Sequence, residues 1–167
     1  MKNIVLIGMM GSGKTTVGQL LGQALGRTVV DTDQLIEQRE GRSISSMMEC
    51  AGEEYFRQWE QRVSVELAQR QGLILSCGGG LPLRTAAIDP LRESGLVFWL
   101  DRDPGESYDE LELAHRPLAQ QGREDFVARY HQRCPVYERE AHHRICQPTP
   151  QRAADAILDI LAQEGQA

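Results

Sequence analysis

The sequence predicts an α/β chain built on a five-stranded parallel sheet with helices on both faces. Three patterns predict it. Short, unbroken apolar runs, as strands buried on both faces read, alternate with segments of helical period. A glycine-rich turn joins the first run to the first helical segment. Clusters of glycine or aspartate stand directly after the first three runs, at the carboxyl ends of strands, where such sheets bind their ligands.

Each element follows in order. Asn3 to Ile7 is the first strand, and glycines 8, 11 and 13 form the turn after it. Lys14 to Leu25 carries Val17, Leu20, Leu21, Ala24 and Leu25 at helical spacing, and Gly26 is a helix stop. Thr28 to Val30 is a short second strand that ends in Asp31-Thr32-Asp33. A helical pattern runs from Asp33 to Gly41, Ser43 caps a short helix from Ile44 to Cys50, and a longer helix covers Glu53 to Gln71. Leu73 to Cys77 is the third strand and runs into Gly78-Gly79-Gly80. A helix through Arg84 to Glu93 leads to the fourth strand, Leu96 to Leu100. From Asp103 to Gly122 core residues are few, and the stretch reads as a mobile excursion of the same domain. Arg123 to Glu140 is helical, with Pro135 predicting a kink or a boundary. His143 to Cys146 is the last strand, and Gln151 to Gln163 a closing amphipathic helix.

A length of 167 residues allows one domain, here 1–167. With 41% hydrophobic and 25% charged residues the composition is globular. No apolar run approaches the roughly 18 residues of a membrane span, and Ile4 to Ile7 is too short for a signal-peptide core. The formal charge of -6 argues against a general nucleic-acid binder and leaves room for local sites for small anions. Cys50, Cys77, Cys134 and Cys146 show neither paired nor zinc-ligand spacing, so they read as reduced thiols of a cytoplasmic protein.

The strongest chemical signal is Gly8-Met9-Met10-Gly11-Ser12-Gly13-Lys14-Thr15, a full G-x-x-x-x-G-K-[ST] between a buried strand and a helix. Phosphates need several backbone N–H groups at close range, and glycine lets the backbone approach and turn. Lys14 reaches the terminal phosphates, and the Thr15 hydroxyl holds Mg²⁺. Asp31 and Asp33 can then divide, one toward the metal and one toward an acceptor hydroxyl; read alone, they are strand-end and cap aspartates. In Phe56-Arg57-Gln58-Trp59-Glu60, Arg57 can grip a carboxylate in two parallel hydrogen bonds, or it forms a solvated pair with Glu60. Gly78-Gly79-Gly80 offers bare N–H groups, or is a plain turn. Arg116, in Arg116-Pro117-Leu118, and Arg133, ahead of Pro135-Val136-Tyr137, are candidates to close over phosphates, or are surface arginines. Cys77 reads as core, and His142-His143 as a solvated pair.

Together, in this order, these motifs resemble the shikimate kinase family over nearly the whole chain. The resemblance implies a three-layer P-loop kinase fold, with a substrate-binding segment at 33–60 and a mobile lid at about 103–122. It implies transfer of the ATP γ-phosphoryl group to the 3-hydroxyl of shikimate, in chorismate and aromatic amino acid biosynthesis; a kinase of 167 residues can work as a monomer. Gly11, Ser12, Gly13, Lys14, Thr15, Thr16 and, from the lid, Arg116 then serve ATP. Thr15 ligates Mg²⁺, with Asp31 acting through water. Lys14 and Asp33 are the catalytic residues, Asp33 orienting or deprotonating the hydroxyl. Arg57 and Arg133 hold the shikimate carboxylate, and Gly79 meets its hydroxyls through the backbone. The sequence departs from the family in the lid. Ala119 stands where the family has a second leucine after Arg-Pro-Leu, and Tyr108-Asp109-Glu110-Leu111-Glu112 has no arginine where family members often carry one. Acidic groups there would repel phosphates, less so under salt screening. The alternatives are a related kinase for gluconate or another polyol acid, and a nucleotide-binding module without catalysis; Asp33, Arg57 and Arg133 weigh against the module.

Overall fold

The structure, a computed structural model, describes residues 1–113 and 122–166. Five parallel strands form one sheet in the order β2-β3-β1-β4-β5: β1 is Asn3–Ile7, β2 Val29–Asp31, β3 Ile74–Ser76, β4 Gly95–Leu100 and β5 His143–Ile145. The helices are α1 (Lys14–Leu25), α2 (Thr32–Glu40), α3 (Ile44–Ala51), α4 (Glu53–Ala68), α5 (Thr85–Ser94), α6 (Pro104–Leu113), α7 (Arg123–Glu140) and α8 (Pro150–Gln163). A 3-10 turn, Leu81–Leu83, precedes α5.

Central β1 is buried along its whole length, and its side chains alternate between two cores. Val5 and Ile7 join the larger core with Phe56, Val63 and Leu67 of α4, Leu91 of α5 and Tyr137 of α7. Ile4 and Leu6 join the other with Val17 and Leu21 of α1 and Ile157 and Leu161 of α8. The sheet therefore has helices on both faces, which leaves the carboxyl ends of β1, β2 and β3 as a common rim.

Two expectations change. The first half of the Asp103–Gly122 stretch is α6, and Tyr108 and Leu111 lie in the larger core, with the Tyr108 ring edge-on to Phe126 at 5.7 Å. Spaced three apart, they make an apolar stripe too narrow to outweigh the acidic residues around it in the pattern. The second concerns Pro135, where a boundary was one of the two readings: it sits inside one helix from Arg123 to Glu140, so no boundary falls there. Pro135 and His131, four residues before it, are both exposed. The carbonyl that proline leaves without an N–H thus faces solvent, and the helix continues. The Arg116-Pro117-Leu118-Ala119 motif lies outside the described residues.

Candidate active site

The loop between β1 and α1 is built for anions. Gly11 and Gly13 have φ of +77° and +89°, values other residues rarely adopt, and Gly13 is the N-cap of α1 without any side-chain cap. No acidic residue lies in the first turn of α1. The first N–H groups and the positive end of the helix dipole are thus left to a ligand. Thr15 and Thr16 are exposed in that turn. Lys14 folds back over the loop, where its Nζ donates to the carbonyls of Gly8 (2.9 Å) and Met9 (2.7 Å) and lies 3.5 Å from Ser12 Oγ. Burial pushes its pKa down to about 8, against the pull of Asp33.

Asp31 ends β2 and caps α2: its Oδ1 accepts from the backbone N–H of Asp33 (3.1 Å) and Gln34 (3.2 Å). Its Oδ2 accepts from Thr15 Oγ1 at 3.3 Å, so the two groups expected around Mg²⁺ are neighbours. The plain reading of Asp31 as a cap is also true, through its other oxygen. Two residues on, Asp33 is mostly buried, and its Oδ1 has no hydrogen-bond partner among the described residues. Burial, and then repulsion from Asp31 and Glu60, push its pKa up to about 6, with Lys14 opposing. A carboxylate with an unfilled acceptor and a raised pKa is suited to receive a proton.

Gly78, Gly79 and Gly80 tie the rest together, because each is approached by one charged residue. A Cβ on Gly78 would collide with Asp33 Oδ1, one on Gly80 would lie 2.6 Å from Arg57 Nη1, and one on Gly79 would lie 3.6 Å from Arg133 Nη1. The same Cβ on Gly79 would sit 3.4 Å from the Gly8 carbonyl, so the triplet also abuts the phosphate loop. Sequence-distant Asp33, Arg57 and Arg133 thus converge on one surface beside Lys14. Arg57 is held by Glu53 (2.8 Å) and Glu60 (2.7 Å), its side chain 13% exposed and that of Glu60 1%. The solvated Arg57–Glu60 pair of the plain reading is therefore a largely buried one.

Sequence reasoning missed two positioning groups. The buried Thr32 Oγ1 accepts from Gly78 N–H at 3.0 Å, and Tyr137 OH donates to the Gly79 carbonyl at 2.7 Å. Arg133 Nη1 also lies 3.4 Å from that carbonyl. The four-residue spacing of Arg133 and Tyr137, which puts both on one helix face, was the available signal. Cys77 is buried and burial raises its pKa, so it remains a core thiol. No cluster of three or more metal-ligating His, Cys, Asp or Glu side chains exists among the described residues. Mg²⁺ does not need one, since it keeps several waters and takes one or two protein ligands beside phosphate oxygens. Thr15 and Asp31 fit that demand. No helix of the described residues is long and apolar enough to cross a membrane.

The chain is similar to known proteins over nearly its whole length. The family model described as shikimate kinase matches residues 10–162. A shikimate kinase of Symbiobacterium thermophilum is 41% identical over 167 residues, covering 95% of this chain and 94% of that one. Another, of Dehalococcoides mccartyi, is 37% identical over 165 residues, with 94% of each covered. The solved shikimate kinase of Acinetobacter baumannii in complex with shikimate superposes with a TM-score of 0.87 at 34% identity, over 98% of this chain and 94% of that one.

Proposed function

This chain belongs to the shikimate kinase family, and from that premise we propose how its residues divide the work. The activity is that of an ATP-dependent phosphotransferase, moving the γ-phosphoryl group to the 3-hydroxyl of shikimate and releasing ADP and shikimate 3-phosphate. Gly11, Ser12, Gly13 and Thr16 offer N–H groups to the ATP phosphates, and Lys14 exchanges the loop carbonyls for the terminal phosphates. Arg116 joins from the lid. Asp33 orients the acceptor hydroxyl and takes its proton. Arg57 and Arg133 hold the carboxylate, and the backbone of Gly79 meets the ring hydroxyls. Thr15 holds Mg²⁺ directly and Asp31 does so through water; the ion, when bound, neutralises charge on the phosphates. Phosphoryl transfer runs through a loose transition state, so positioning and positive charge are what the protein must supply.

The observation that carries this reading is the convergence of one carboxylate and two arginines on Gly78–Gly80 beside the phosphate loop. A small, polyhydroxylated carboxylate is the kind of acceptor that such a surface suits. Residues 33–60 serve as the acceptor segment and about 103–122 as the lid of a single kinase domain. The reading includes a monomer, supported by the few large apolar residues exposed among the described ones, Met1, Val65 and Leu83. It includes a cytoplasmic site, supported by four unpaired cysteines. The test is ADP release from Mg-ATP with shikimate, gluconate, AMP or no acceptor. Release that depends on shikimate is expected; release with gluconate, or none with any acceptor, overturns the assignment.

A further inference from the structure

The acceptor face carries a carboxylate of its own. Arg57 of α4 stands between Glu53, four residues before it, and Glu60, three residues after it, so all three share one helix face. The two carboxylates differ in kind. Glu60 is buried and takes Arg57 Nη1 at 2.7 Å. The Glu53 side chain is 65% exposed, and its Oε1 accepts from both Arg57 Nε (3.1 Å) and Nη2 (2.8 Å).

Nη1 is also the guanidinium atom nearest Gly80, where a Cβ would lie 2.6 Å away. That end of the side chain is therefore committed to fixed neighbours. Nε and Nη2 form an edge that can take a carboxylate in two parallel hydrogen bonds, and Glu53 covers it with a single oxygen. A carboxylate that brings both oxygens matches the fork better. Hydrogen bonds and charge from Arg57, and then the charges of Arg84 and Arg133, hold the Glu53 carboxyl below its usual range, with partial desolvation opposing. Arg57 and Arg133 are the pair assigned to the acceptor carboxylate, so Glu53 answers to the same two cations. Arg84, exposed and 2.8 Å from Glu54, is the cation toward which a displaced Glu53 can turn.

We propose that Glu53 is an internal competitor of the acceptor carboxylate: it holds the Nε–Nη2 edge of Arg57, and an incoming acid must displace it. The exchange sets acceptor affinity and adds selectivity. A carboxylate returns to Arg57 the counter-charge that Glu53 withdraws, whereas a neutral polyol that displaced Glu53 would leave that edge without one. The inference rests on the proposed acceptor role of Arg57 and Arg133, and involves no bond making or breaking.

The test reads the sign of the change. Shikimate and ADP are titrated separately by calorimetry into the wild type, Glu53→Gln and Glu54→Gln, with thermal unfolding, KM and kcat recorded for each. Glu54, the next residue, controls for the loss of one negative charge. Glu53→Gln should tighten shikimate about 2- to 5-fold, the range that an exposed ion pair spans, and lower KM for shikimate to match. Its kcat, ADP affinity and KM for ATP should stay within about twofold. Glu54→Gln should leave shikimate within about 1.5-fold, because a charge out of contact is largely screened. Weaker or unchanged shikimate binding in Glu53→Gln would overturn the proposal and make Glu53 a positioning partner of Arg57. Equal tightening in Glu54→Gln would overturn it in favour of a general charge effect. A wild type that binds ADP but not shikimate would instead overturn the acceptor reading on which it rests.

Discussion

The two sides of the phosphate loop are built to different tolerances. Toward β3, three charged side chains press against backbone that has no Cβ, and Thr32 and Tyr137 fix that backbone from buried positions. Toward β4 and β5, a shallow slot is lined by prolines and one arginine on a partly exposed carboxylate. In the proposed division of roles, bonds form and break on the first side, where a displacement of an ångström removes the alignment of hydroxyl oxygen, phosphorus and leaving oxygen beside Asp33. On the second side the same proposal asks for binding contacts alone.

Substitutions ordered by expected effect probe this contrast. Lys14→Ala affects both sides, because the terminal phosphate lies between them; kcat/KM should fall by about 10²–10³-fold for either substrate. Gly78→Ala introduces a Cβ onto Asp33 Oδ1. Steady-state kinetics should show kcat down by about 10²-fold, with ADP affinity retained. An equal loss in ADP affinity would mean that the triplet shapes the whole loop.

Arg57→Ala should remove about 2–5 kcal/mol of shikimate binding by calorimetry, and leave ADP binding nearly intact. It also strands the buried Glu60, so Tm should drop, and the added change Glu60→Gln should restore Tm without restoring shikimate affinity. The pH profile of kcat/KM should be bell-shaped. Asp33 must be ionised to accept a proton, so the acid limb falls as pH drops through about 6. Lys14 must be charged to hold phosphate, so the alkaline limb falls as pH rises through about 8. Asp33→Asn should abolish the residual acid limb together with most of the activity. The smallest effect is Tyr137→Phe, which leaves the Gly79 carbonyl without its 2.7 Å donor. It should cost about 1 kcal/mol of stability in denaturant titration, and raise KM for shikimate but not for ATP.

Legibility in the sequence follows distance along the chain. The phosphate loop, Asp31 as a cap, and the strand-helix alternation are local patterns, and each is where the sequence predicts it. Arg57 and Arg133 were recognisable by motif, but that they share a surface with Asp33 is a property of packing. Tyr137 was visible as part of a motif and its role was not, because its partner, Gly79, lies 58 residues away. The core anchoring of α6 was hidden because two apolar residues among acids look like a solvated face until the larger core, with Phe126 against Tyr108, is folded around them.

The fold class and the anion-binding loop are written in the chain itself, since both arise from periodicity and from backbone freedom at single residues. The tertiary structure alone decided which side chains meet. Gly78, Gly79 and Gly80 are three identical residues in a row, and only the packing of α2, α7 and α4 against them gives each a different charged neighbour. Lys14 and Asp33, likewise, owe the shifts toward about 8 and about 6 to burial, which no local pattern can supply.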